Sequence, residues 1–138
     1  MVSDTDPRNH AGLRGLGVRH RGSGSVAGLW LPVVAWAAVI FAFSSVPDLG
    51  TGLGGWDLLL RKAAHMVEFG VLGVLFARAT GRPGLAVALG TLYAVSDELH
   101  QSFVPGRKGL AVDVGIDTIG VLGGVVLWQL ARARRRLA

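Results

Sequence analysis

Apolar residues in this chain gather into four long blocks, Leu29–Val46, Leu58–Ala79, Leu85–Val104 and about Val112–Leu130. Each is near the roughly 20 residues a helix needs to cross a hydrocarbon core. The breaks between them carry turn chemistry: Pro47-Asp48-Leu49-Gly50 with a Gly-rich stretch to Gly55, Thr80-Gly81-Arg82-Pro83-Gly84, and Pro105-Gly106-Arg107-Lys108-Gly109. The pattern predicts an all-α, polytopic membrane protein, a bundle of four transmembrane helices. Residues 1–27 are polar, rich in Gly, Ser and Arg, and read as a flexible basic tail. The membrane domain is expected over 28–131, with a second basic tail at 132–138. A basic leader before an apolar stretch ending in Ala42-Phe43-Ser44-Ser45 also fits a signal peptide. The stretch is long for a signal core and its leader extended, so four spans is the preferred reading.

Composition agrees. The 138 residues are 51% hydrophobic and 17% charged, too apolar and too blocked for a typical soluble domain. With no cysteine, disulfides and thiolate metal sites are excluded. The net charge of +5 comes from 12 arginines and 2 lysines that cluster at the ends of apolar blocks. No nucleic-acid motif accompanies them, and no nucleic-acid partner is expected. Ten basic residues (Arg8, Arg14, Arg19, Arg21, Arg78, Arg82 and the four after span four) share one side, against Arg61, Lys62, Arg107 and Lys108 on the other. The positive-inside rule then puts both termini in the cytoplasm of a multi-pass inner-membrane protein.

The informative exceptions are ionisable residues inside the blocks, rare in such helices and functional by default. On span two, Lys62, His65 and Phe69 share a stripe flanked by Glu68. His65 lies about 4–5 Å deeper than Lys62, and Phe69 about 10 Å deeper. On span three, Asp97 and Gln101 are one turn apart, flanked by Glu98 and His100. Span four begins with Asp113 and Asp117, and Gly120 and Gly124 continue their stripe as a small-xxx-small pattern. Three helices thus bring polar groups to one depth in the outer half of the bilayer. The economical account is an outward-facing polar pocket covered by Arg107. Span one carries no ionisable group and is expected to pack around the outside.

These residues resemble the VanZ-like family of small bacterial membrane proteins. Lys62-Ala63-Ala64-His65-Met66-Val67-Glu68-Phe69 is similar to its Lys-x-x-His-x-x-x-aromatic stretch. Asp97-Glu98-Leu99-His100-Gln101 through Pro105-Gly106-Arg107, then Asp113, Asp117 and Gly120, is similar to its second block. The likeness covers about Leu29 to Leu130. Phe69 stands where Tyr is common, and Asp117 where Asn is usual. The family's name comes from low-level resistance to the lipoglycopeptide teicoplanin. The resemblance implies a cell-envelope role toward a lipid, a lipid-linked precursor or a glycopeptide antibiotic.

Lys62, His65, Glu68, Asp97, Glu98, Gln101, Arg107, Asp113 and Asp117 are the expected ligand-binding residues. In one reading Arg107 and Lys62 meet an anionic headgroup. In another the protein is an intramembrane hydrolase or transferase, with Asp97 or Glu98 as general base and His65 as proton shuttle. The bland alternative pairs Asp97 or Glu98 with Lys62 or Arg107, and His65 with Asp97 or Asp113, to hold the helices in register. Arg107 equally suits locking its turn onto Glu98 or Asp113. The acids outnumber these bases, so some should be protonated, hydrated or cation-bound. Proton or cation transport is disfavoured because no ionisable group continues the path inward. His65 and Glu68 with Asp97 and Glu98 could hold a divalent metal, but His-x-x-Glu is common, and no metal or cofactor is expected. His100 reads as interfacial, Lys108 as solvated, and the tryptophans as packing residues and anchors.

Overall fold

Each apolar block forms a helix whose ends are set by local chemistry. The computed structural model describes residues 25–47 and 55–137. Its helices are α1 (Val26–Ser44), α2 (Gly55–Thr80), α3 (Pro83–Gln101) and α4 (Ala111–Leu137), and no strand occurs among the described residues. Ser25 caps α1, its Oγ accepting from Gly28 N at 3.1 Å. Pro32 lies inside α1 and has no N–H for the carbonyl of Gly28, four residues back. Arg78 at the end of α2 donates to that carbonyl at 3.5 Å.

Gly81, at φ 64, ends α2, and Pro83 starts α3 after a two-residue link. Between α3 and α4, Arg107 N donates to Val104 O at 3.1 Å across Pro105-Gly106, with Gly106 at φ 78. Pro followed by a positive-φ Gly is the chemistry of a type II turn. The expected third block overran its helix by three residues, since Ser102–Val104 already belong to this turn region. The fourth stopped short, for the helix carries Arg132–Arg136 on its last turns. Most of the expected N-terminal tail lies outside the described residues, while Val26 and Ala27 already belong to α1.

Contacts between helices give the topology. Lys62 meets Asp113, His65 meets Asp117 and Trp36 meets Glu68, while Ser44 meets Asp97 and Tyr93 meets Ala37. Along α2 and α4 the partner number rises together, so these helices run parallel; α1 and α3 do likewise. Trp30 meets Phe76 and Gly28 meets Arg78, so α1 and α2 are antiparallel. The result is an up-down-up-down bundle. It puts the start of α1 and the end of α4 at one end, and the 102–110 turn at the other.

Among the described helices, α2 and α4 meet along a close seam. A Cβ on Gly73 would collide with the Val121 backbone, one on Gly120 with Met66, and one on Gly124 with Gly70. Phe69, Leu72, Phe76, Ile40, Val121 and Val125 fill the core beside it. Outside, large apolar side chains stay exposed on all four helices, among them Leu31, Phe41, Leu92 and Leu127. An apolar exterior on this scale calls for a nonaqueous surrounding or a partner. Two helices, α1 and α4, are long and apolar enough to cross a membrane by length and composition. The ionisable residues along α2 and α3 set these helices apart and lead into the site.

Candidate functional site

At the end of the bundle holding the 102–110 turn, side chains from all four helices meet. Asp97, Glu98, Gln101, Asp117 and Ser44 are buried there, although all five are polar groups on nominally apolar helices. Ser44 Oγ donates to Asp97 Oδ2 at 2.8 Å, and Gln101 Nε2 donates to the same oxygen at 2.8 Å. The hydroxyl has one proton, already given to Asp97, so Gln101 is the donor across its 3.4 Å contact with Ser44 Oγ. Asp97 Oδ1 and Asp117 Oδ2 are buried without a hydrogen-bond partner among the described residues.

His65 Nδ1 on α2 lies 3.6 Å from Asp117 Oδ1 on α4. Its ring stacks on Phe69, one turn along, with centroids 6.2 Å apart. Glu98 turns toward the start of α4, where its Oε2 accepts from Leu110 N at 3.0 Å. A carboxylate there also suits the positive end of the helix dipole. His65, Asp97, Glu98 and Asp117 each offer a ligand atom within 4.8 Å of the others. Lys62 and Asp113 pair at the rim, both side chains partly exposed. Glu68 stands one turn from His65; its carbonyl accepts from Trp36 Nε1 at 2.9 Å, tying α1 to α2.

Several expectations change. Arg107 meets neither Glu98 nor Asp113. Its Nε donates to Val46 O at 2.9 Å, one terminal nitrogen to Phe43 O at 3.1 Å and the other to Gln101 Oε1 at 3.2 Å. The planar guanidinium therefore clamps the end of α1 onto α3 using neutral acceptors. His65 pairs with Asp117, not with Asp97 or Asp113, because the glycine seam holds α2 and α4 in that register. Lys62 takes Asp113, leaving Asp97 and Glu98 without the basic partners expected of them.

The larger correction concerns α1. It does not merely wrap the outside, since Ser44 is fully buried and holds Asp97. Ser45 and His100 are also joined, at 2.9 Å. Ser45 Oγ gives its proton to Phe41 O at 2.7 Å, so His100 Nε2 carries the hydrogen between them. His100 also stacks on Phe41 with centroids 4.3 Å apart, which makes it a contact between helices. The signal for Ser44 was present: two hydroxyls closing an apolar block whose other polar groups are indole N–H donors. Tyr93, whose hydroxyl donates to Ala37 O at 2.5 Å, was missed because its partner is a backbone carbonyl, which no side-chain pattern reveals.

The family model described as VanZ/LLP1 matches residues 23–132, spanning all of α1, α2 and α3 and most of α4. No curated protein and no solved structure matches the chain.

Proposed function

The chain belongs to the VanZ/LLP1 family, and from that membership and its buried polar cluster we propose an integral membrane protein that binds the polar head of a lipid or lipid-linked envelope component. All four helices cross the inner membrane in this reading, with both termini cytoplasmic and the cluster in the extracytoplasmic half. A glycopeptide antibiotic such as teicoplanin, itself an amphiphile, belongs to the same ligand class. The carrying observation is the convergence of His65, Asp97, Glu98 and Asp117 from three helices below a partly exposed Lys62–Asp113 rim. Carboxylates facing lipid would be costly, which favours an inward cluster serving a ligand.

Since Arg107 is occupied by α1, the Lys62–Asp113 rim is the better candidate for first meeting a headgroup. One observation favours an enzymatic second reading. His65 beside Asp117, with Asp97 and Glu98 close by, has the makings of a general acid–base set for a hydrolase or transferase.

Lipid mass spectrometry of the purified full chain tests the binding role. One headgroup class should co-purify and be lost in Asp97→Asn with Glu98→Gln. Bulk lipid in the same proportions from wild type and variant would refute it. The absence of native cysteine makes topology equally accessible. Ser102→Cys should react with an impermeant thiol reagent from outside the cell; labelling only after permeabilisation would reverse the orientation.

A further inference from the structure

Asp97, Glu98 and Asp117 crowd one buried region, and the fixed cations nearby are committed elsewhere. Lys62 is on Asp113, while Arg107 holds Gln101 and two backbone carbonyls. Buried carboxylates at this spacing need protons or a cation between them.

On each aspartate one oxygen is engaged and the other is not: Asp97 by hydrogen bonds, Asp117 by an ion-pair contact. Ser44 and Gln101 fix Asp97 by Oδ2, and Oδ1 is left buried and unpartnered. Asp117 faces His65 with Oδ1, and its Oδ2 is likewise unpartnered. Asp97 is 2% exposed and Asp117 1%, so bulk water does not satisfy these atoms. Fixing one oxygen of Asp97 through hydrogen bonds from Ser44 and Gln101, neither of them a ligand, while leaving the other unengaged is how ligating carboxylates are held.

We propose that His65, Asp97, Glu98 and Asp117 form a binding site for one divalent transition cation of the Mn²⁺ or Zn²⁺ kind. Their ligand atoms already lie within 4.8 Å of one another. Metal bonds of about 2.0–2.2 Å put tetrahedral ligands roughly 3.3–3.6 Å apart and opposite octahedral ones about 4.0–4.4 Å apart, so side-chain rotations close the site. The imidazole selects against Ca²⁺ and Mg²⁺, which favour all-oxygen ligation. Sequence spacing had suggested Glu68 as the partner of His65 in such a site; the fold supplies Asp117 instead, from α4. One ion would then tie together α2, α3 and α4, with Ser44 of α1 steadying a ligand from behind.

This site uses residues of the proposed lipid pocket but needs no lipid to form. The full chain in detergent is stripped with chelator, then titrated with MnCl₂ or ZnCl₂ alone. Bound metal is counted by elemental analysis and thermal unfolding is followed. One equivalent per chain and a metal-dependent rise in Tm are expected. Asp97→Asn and Asp117→Asn should each weaken binding by about tenfold or more, and Ser44→Ala, which keeps all four ligands, by roughly 10–100-fold. Pulsed electron paramagnetic resonance of the Mn²⁺ form should show a nitrogen coupling that His65→Gln removes.

Wild type that takes up no stoichiometric metal and gains no stability from either salt overturns the proposal, whatever the variants do. Binding that persists unchanged in Asp97→Asn and Asp117→Asn overturns its location. Metal uptake by protein free of any selective lipid would sink the lipid reading alone.

Discussion

The α2–α4 seam and the polar end of the bundle solve the same problem, holding helices together, by opposite means. Along the seam Gly73, Gly120 and Gly124 remove side chains so that backbones meet. At the polar end Ser44, Asp97, Gln101 and Arg107 add side chains whose hydrogen bonds reach across α1 and α3. In the membrane setting proposed above, helices feel little hydrophobic drive toward one another, so close packing and interhelical hydrogen bonds must serve. The difference teaches which region depends on the other. Met66 meets Gly120 one residue beyond His65 on α2 and three beyond Asp117 on α4. The seam therefore sets the register on which the site is built, and the site cannot correct a displaced seam.

The severest test breaks the seam. Gly124→Leu drives a branched side chain into the Gly70 backbone, which cannot yield as a rotamer can. A loss on the order of 3 kcal/mol or more is expected in thermal or denaturant unfolding in detergent, beyond ordinary overpacking. Gly123→Leu, one residue away where a Cβ meets open space, should be nearly neutral. Equal damage from both would show that the seam has no special standing.

Next comes the buried hydroxyl of the polar end. Ser44→Ala removes a donor to a buried carboxylate and leaves Asp97 Oδ2 with Gln101 alone. The expected cost is about 1–3 kcal/mol. Asp97→Asn combined with Ser44→Ala should cost less than the sum of the two, because the charge that needs the hydroxyl is gone. Additive losses would mean that Ser44 acts through packing only.

Arg107→Lys asks whether the clamp is a matter of charge or of shape. Lysine keeps the charge and forfeits the flat fork that reaches Val46 O, Phe43 O and Gln101 together. A loss of about 1–2 kcal/mol is expected, read as earlier unfolding and faster proteolysis near residues 43–46. Stability equal to wild type would leave the clamp as geometry without consequence.

Legibility in the sequence followed what each contact is made of. Four blocks bounded by Gly and Pro were enough for four helices, because apolar length and turn residues are local signals. Gly120 and Gly124 announced a close approach by their spacing, though not that Gly73 would answer from α2. The gathering of His65, Asp97, Glu98 and Asp117 could be inferred from matched depth. Their pairing could not, since depth fixes a layer and leaves rotation about each helix open. The pairing of Arg107 with Glu98 or Asp113 fails for a related reason: a charged side chain among acids suggests an ion pair, whereas the fold offers it carbonyls at the end of α1. Ser44 was undervalued because a hydroxyl has no charge to mark it.

The smallest effect belongs to the rim. Lys62 and Asp113 pair with side chains 30% and 23% exposed, so solvent screens much of their attraction. Lys62→Gln should cost only about 0.5 kcal/mol of stability, and added salt should shrink that difference further. If the rim instead guides a headgroup inward, the same substitution should reduce the lipid that co-purifies while the unfolding curve scarcely moves. A large stability loss with lipid retention unchanged would make Lys62 another structural tie, and would move the boundary between scaffold and site inward to His65.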